Sequence, residues 1–267
     1  MRYGKTPAGR VTLHGSMLFE GAGTWVDGGC VEGLWLRHHR DAAPVGQRMV
    51  RAEAGKGLSE DCSAIELSPR QVLLASAETY GRMSLPPATL RENLTVSADL
   101  SEWRSGSMVA IGRKVLLRLT FPCDPCSRLN RHRPGLMRRI GRERGVLARV
   151  VRSGMIRLGD RVRLRPGVFA AWSERWQERV REVARMVPDG AVVQNAQLAL
   201  LAGVPLSYCR VFSRVLADSP DRLQRRAASR DERADAPRWS GADVFDDEGG
   251  MGTYASEVIR EAGYTNG

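Results

Sequence analysis

The middle of the chain is a run of short apolar stretches cut apart by glycines, and this pattern constrains the fold more than any other feature. Residues 108–111, 115–120, 146–151 and 161–164 read as strands, and Gly106, Gly112, Gly145, Gly154 and Gly159 punctuate them. Upstream, Val31-Glu32-Gly33-Leu34-Trp35-Leu36 alternates like a strand, and residues 47–54 follow Pro44 and Gly46 as a second candidate. Gly55-Lys56-Gly57 then breaks the pattern, and residues 72–75 form a buried-strand run ahead of a short helix at 77–80. Short strands bounded by turn formers, with few long helices, predict an all-β, barrel-like domain over residues 25–168. Residues 1–24 have many glycines and no clear period, and read as a loosely packed arm with one short strand near 10–13.

Near Pro166 the period changes. Trp172, Trp176, Val180 and Val183 fall near helical spacing over residues 172–186, and Pro188-Asp189-Gly190 is a turn. Residues 194–202 predict a second helix stopped by Gly203, and residues 205–216 a third with Ser207 as its N-cap. Two short helices joined by a glycine-containing turn fit a helix-turn-helix, although an ordinary helical hairpin satisfies the same spacing. Residues 218–240 have little to bury and predict an exposed loop, and residues 254–262 a short helical piece. The fold class is therefore α+β: a β-barrel-like domain followed by a small helical domain at 172–264.

Charge separates the two parts. The chain carries a formal +11, but residues 1–171 hold 28 Lys and Arg against 15 Asp and Glu, whereas residues 172–267 hold 13 against 15. Within 128–165 there are 13 arginines and only Glu143 and Asp160 as acids, and the whole chain has three lysines. Guanidinium groups suit planar, bidentate recognition of phosphate. The chain has no apolar run long enough to span a membrane, and its N-terminus lacks a signal peptide's hydrophobic segment, so a cytoplasmic protein is expected.

Five scattered cysteines in such a chain read as reduced thiols, and only Cys123-x-x-Cys126 has informative spacing. Pro122-Cys123-Asp124-Pro125-Cys126-Ser127-Arg128-Leu129 sets two thiols and a proline corner directly after a strand. A zinc site needs four ligands, and beyond His132 none is evident. A thioredoxin-like dithiol needs a βαβ context, which is lacking. Two readings remain: buried structural thiols, or a soft thiolate ligand to a redox metal whose other ligands come with a phosphorylated cofactor.

The same stretch resembles the MOSC domain of molybdenum-cofactor sulfurases and amidoxime-reducing proteins, over about residues 31–166. The pieces come in family order: Val31-Glu32-Gly33-Leu34-Trp35, Gly57-Leu58-Ser59-Glu60-Asp61, Gln71-Val72-Leu73-Leu74 with Glu78, then Leu90-Arg91-Glu92-Asn93-Leu94. Pro125-Cys126-Ser127-Arg128-Leu129 matches the family's Pro-Cys motif, and the segments from Gly145 and Gly154 close the domain. The resemblance implies the molybdenum cofactor (molybdopterin), with Cys126 as its catalytic thiolate ligand to molybdenum and Asn93, Arg128 and Arg149 near the pterin or its phosphate. No pyridoxal phosphate site is expected. Two departures stand out: Arg91 occupies the place of the family's glycine, and Cys123 adds a second thiol. The implied activity is that of the smaller bacterial members, reduction of N-hydroxylated, base-like compounds, which would require an electron-donor protein.

The helical part resembles alkylguanine-DNA alkyltransferases and alkyltransferase-like proteins. The resemblance rests on Val187-Pro188-Asp189-Gly190-Ala191-Val192-Val193-Gln194-Asn195-Ala196, on Ala202-Gly203-Val204-Pro205, and on Cys209-Arg210-Val211-Phe212-Ser213-Arg214 as a recognition helix. It implies a winged-helix-like DNA-binding shape, with Arg210 entering the duplex and Ser207 and Arg214 facing outward. Asn195 stands where the family has its base-rotating tyrosine, and the Pro-Cys-His-Arg acceptor motif is absent, so alkyl transfer is not expected. Two alternatives to the molybdenum enzyme stay open: a cofactor-free DNA or lesion-binding protein, and a sulfur carrier using a cysteine persulfide.

Overall fold

The computed structural model describes residues 23–249 apart from 220, 222 and 230–234. The strand expected near 10–13 and the helical piece at 254–262 lie outside the described residues. In chain order the elements are β1 (Val26–Leu36), β2 (Val45–Gly46), β3 (Met49–Glu53), β4 (Gly57–Leu58), β5 (Val72–Ser76), α1 (Ala77–Met83), β6 (Leu94–Val96), β7 (Met108–Ile111) and β8 (Val115–Pro122). There follow α2 (Leu136–Ile140), β9 (Val146–Arg152), β10 (Gly154–Arg157) and β11 (Arg161–Arg165), and then the helical part.

Seven of these strands close into a barrel in the order β11-β7-β8-β9-β5-β6-β1, with β1 pairing back onto β11. A closed ring of purely antiparallel neighbours needs an even number of strands, so seven force a parallel pair. That pair is β5–β6, and a parallel pair needs a crossover connection. Residues 77–93 supply it and contain α1, whose N-terminus is capped by Ser76 Oγ accepting from Glu78 N at 3.2 Å. The strands β10, β3 and β4 form a separate three-stranded sheet.

Alternation explains the interior. Val72 and Leu74 of β5, Val115, Leu117 and Leu119 of β8, and Val146, Ala148 and Val150 of β9 all belong to one buried cluster. Their neighbours point the other way, yet Leu73 and Leu147 are buried too, and Phe121, past the register shift between Leu119 and Pro122, joins them in a second cluster with Cys123 against Trp172. Strands buried on both faces read as continuous apolar runs, which is why this side of the barrel looks unbroken in the sequence.

The helical part covers that outer face. It comprises α3 (Trp176–Met186), β12 (Val193–Gln194), α4 (Asn195–Leu201), α5 (Phe212–Ala217), β13 (Ala227–Ala228) and α6 (Asp246–Gly249). Its own core includes Val180, Val183, Leu198, Leu201, Phe212 and Leu216. Helix α3 starts at Trp176, four residues later than its period suggests, and Trp172 instead stacks on Phe245 at 5.6 Å. Residues 206–211 form a 3-10 turn before α5, and Ser207 is an exposed residue inside that turn, not an N-cap. Nor is 218–240 simply an exposed loop: Leu223 and Ala228 are buried, and β13 pairs with β12 in parallel. Gly203 ends α4 at φ +64°, and a Cβ there would meet Phe121 Cζ at 2.6 Å, so glycine is required where the turn touches the barrel.

An ionic clamp also joins the two parts. Arg149 on β9 and Arg118 on β8 point outward into Glu248, at 3.0 and 3.3 Å, and Arg118 also reaches Asp247 at 2.8 Å. Arg149 lies 3.5 Å from the centroid of the Phe245 ring and donates to Ser68 O. Burial, the largest influence on Glu248, holds its carboxyl above the ordinary range even though Arg149 and Arg118 pull the other way. Glu248→Gln keeps one acceptor but takes the charge partner from buried Arg149 and leaves buried Arg118 with Asp247 alone. It is expected to destabilise the protein by roughly 1.5–3 kcal/mol in urea unfolding.

Candidate functional site

Strand β8 pairs with β9 through a register shift between Leu119 and Pro122, an irregularity at the barrel rim. The chain then turns at Cys123, whose amide donates to Gly145 O at 2.9 Å. Gly145 sits at φ +116°, and a Cβ on it would lie 2.0 Å from Leu74 O, so only glycine lets the returning strand lie this close. After Pro125, Cys126 precedes a 3-10 turn at Ser127–Arg131 that is anchored by buried Leu129.

The two thiols are treated differently by this geometry. Cys123 is buried, and Arg144 Nε donates to its sulfur at 3.1 Å, with Arg70 Nη2 further off at 3.9 Å. Cys126 is half-buried and faces the cleft, and Arg144 Nη1 reaches its sulfur at 3.7 Å. Arg144 therefore spans both thiols from one guanidinium. Burial opposes its charge, but the two sulfurs outweigh that and hold it above its ordinary value.

Around Cys126 lies a cleft of about 330 Å³ between the barrel and the α4–α5 turn. Six arginines line it (Arg37, Arg40, Arg70, Arg91, Arg128 and Arg144), with Cys62, Cys123 and Cys126, and no carboxylate is among the lining residues. Arg37 approaches Asp61 at 3.6 Å and Arg128 approaches Asp41 at 3.1 Å. The other four have no ion-pair partner among the described residues. Arg37 Nε is buried with no hydrogen-bond partner among the described residues. The far wall is Ala199, Leu200, Gly203, Val204 and Pro205, so the helical part completes the site.

Arg91 occupies a strained position. Its φ is +58°, in the left-handed region where a non-glycine residue costs about 1–3 kcal/mol. Burial first, then the like charges of Arg37 and Arg128, hold its guanidinium below the ordinary value. Behind it, buried Glu92 accepts from Tyr80 Oη at 2.6 Å and Thr95 Oγ1 at 3.0 Å, and burial holds the Glu92 carboxyl above its usual range.

The structure brings together Cys126, Asn93 and Arg128, three of the four residues proposed for the cofactor. It does not bring in Arg149, which the period of β9 turns away from the cleft and commits to Glu248. Asn93 lines the cleft, but its side chain is already used: Oδ1 accepts from Leu73 N at 3.0 Å, and Nδ2 donates to Asp61 Oδ2 at 3.0 Å and Trp35 O at 3.3 Å. Its role is to fix three segments of the wall. The Arg-rich run contributes only Arg128 and Arg144; the other four arginines arrive from elsewhere in the chain. Among the described residues no group of three or more His, Cys, Asp and Glu side chains is placed to hold a metal ion.

On the helical part, Ser207, Arg210 and Arg214 are exposed, and Asn195 is half-buried at the start of α4. Residues 195–201 and 206–217 bend by 119° at the turn between them, within the range of helix-turn-helix pairs. Cys209 Sγ donates to Asn195 O at 3.3 Å, and burial pushes its thiol up. Among the described residues no single helix is long and apolar enough to cross a membrane.

Comparison with known proteins matches residues 54–163 to the MOSC domain. Among solved structures, the chain is similar to the YUAD protein from Bacillus subtilis at 19% identity and a TM-score of 0.46, covering 53% of this chain and 97% of that one. It is similar to YiiM from Escherichia coli at 18% identity and a TM-score of 0.41, covering 69% and 91%. For YiiM from Geobacillus stearothermophilus the values are 16%, 0.43, 72% and 100%. Comparison with curated proteins gives no match.

Proposed function

We propose, from the MOSC domain over residues 54–163, that the cleft binds the molybdenum cofactor through Cys126 and serves the reduction of N-hydroxylated, base-like compounds. The observation that supports this is the donor set: a half-exposed sulfur, no lining carboxylate, and six guanidiniums in one cleft. The residues fit such a group, since the buried Arg37 Nε has no partner among the described residues, and Arg40, Arg70 and Arg91, with no ion pair among them, leave donors for phosphate. When bound, the cofactor supplies two-electron oxygen-atom transfer.

The chain's own residues do the rest. Cys126 offers the soft ligand and Arg144 holds its sulfur in place from behind. Arg128 and Arg70 orient an anion at the wall, while Arg128 also fixes the Arg40 carbonyl. The test is metal analysis of protein purified from a host that makes the cofactor. Molybdenum near one atom per chain supports the reading, and its consistent absence ends it.

A DNA contact by the helical part belongs to the same proposal, supported by the 119° helix pair and by exposed Ser207, Arg210 and Arg214 on its second element. The part's formal charge of −2, from 13 basic against 15 acidic residues, makes this contact weak by itself. Arg210→Ala is expected to weaken duplex binding roughly tenfold at low salt. Unchanged binding in an electrophoretic shift assay would remove DNA from the function.

A further inference from the structure

We propose that Arg91 sets the ligand preference of the cleft, selecting an ester that carries a diphosphate over one with a single phosphate. The inference rests on the cleft being the anion site described above, and it names what that anion must carry.

Four features of Arg91 lead there. Its backbone adopts a conformation that glycine would hold without strain. Its side chain is buried, close to the like charges of Arg37 and Arg128, with no ion-paired carboxylate among the described residues. Among the described residues it uses one side-chain donor, Nη2 to Arg40 O at 2.6 Å, out of the five a guanidinium offers. That bond is also redundant, because Arg128 Nη1 donates to the same carbonyl at 3.1 Å. A residue strained, repelled and structurally duplicated is explained by a partner that enters the cleft.

Charge matching sets the class of that partner. A phosphate monoester carries roughly −1.5 to −2 and is satisfied by about two guanidiniums. Arg40, Arg70, Arg91 and Arg144 all lack carboxylate partners among the described residues, and Arg144 is engaged with the thiols. The remaining three exceed what one phosphate needs and suit two linked phosphoryl groups, with Arg128, shared with Asp41, at the rim.

The experiment is calorimetric titration of the purified full chain with inorganic pyrophosphate and with orthophosphate, for wild type, Arg91→Gly and Arg91→Lys. Wild type is expected to prefer pyrophosphate by about tenfold or more. Arg91→Gly is expected to lose most of that preference while binding orthophosphate within about threefold of wild type and melting no lower. Arg91→Lys keeps the charge but not the fork and is expected to fall between. Wild-type binding of pyrophosphate by Arg91→Gly overturns the proposal, as does equal or absent binding of both anions by wild type. The titrations use protein from a host that cannot make the cofactor, which leaves the cleft open to the added anion, and molybdenum content is measured on protein from a host that makes it. Metal in the second preparation with no pyrophosphate preference in the first sinks this inference alone, and that preference with no metal in the second sinks the cofactor reading alone.

Discussion

Cys126→Ser is expected to purify without molybdenum from a cofactor-producing host, whereas Cys123→Ser retains it. The two sulfurs belong to one short corner, but only one has room for a ligand. Cys123 is 3% exposed, and its sulfur accepts from Arg144 and faces Arg70. Cys126 opens into the cleft, and its contact with Arg144 is longer, at 3.7 Å. Serine is nearly isosteric, so Arg144 and the 3-10 turn after Cys126 stay in place and the change isolates the donor atom. A hard hydroxyl in place of a soft thiolate should lower metal content by more than about tenfold, with N-hydroxylamine reduction falling alongside. Cys123→Ser removes a positioning contact and should leave the metal bound. A Cys126→Ser protein with full metal content would refute Cys126 as the ligand. Loss of the metal in Cys123→Ser alone would move the ligand to the buried thiol.

How much of this could be read from the sequence depended on distance along the chain. Strands showed themselves locally: Val72 and Leu74, or Val115 and Leu117, alternate inward, and Leu73, between the first two, is apolar because it packs outward with Phe121, Leu147 and Trp172. The Pro-Cys corner was equally visible, since its residues are consecutive. The cleft was not. Arg37, Arg40, Arg70 and Arg91 meet Arg128 only through barrel closure and the crossover between β5 and β6, and no local pattern reports that. The arginine run was over-read for the same reason. Arg149 lies between inward-facing Ala148 and Val150, so the period of two already turned it outward. The boundary of α3 was missed because Trp172 keeps helical spacing while packing as an extended residue on Phe245.

The residue least legible from sequence carries the second large effect. Arg179 looks like one more solvent-facing arginine on α3, yet it is 1% exposed and has no salt bridge among the described residues. Its Nε donates to Ala202 O at 3.0 Å and its Nη1 to Ser173 O and Glu174 O, both at 2.9 Å. Its guanidinium lies 3.7 Å from the centroid of the Phe121 ring. Burial pushes its pKa down to about 10, with Asp124 acting in the opposite sense, so the fold holds a desolvated cation for the sake of these carbonyls and the ring. Arg179→Met keeps the length and the apolar contact but removes the charged donor from the buried Ala202 carbonyl and from the part-buried Ser173 and Glu174 carbonyls, and is expected to cost about 3–5 kcal/mol in urea unfolding. The consequence extends to the site. Ala202 precedes the Gly203 turn that forms the cleft wall, and Phe121 leads directly into Cys123, so one side chain holds both sides of the cleft together. Protease sensitivity of residues 172–249 should therefore rise together with a loss of anion binding in the cleft. Arg179→Lys keeps the charge without the fork or the planar stack and should recover only part of either. A variant that is destabilised to this extent yet binds pyrophosphate like wild type would show that α3 is not what closes the cleft.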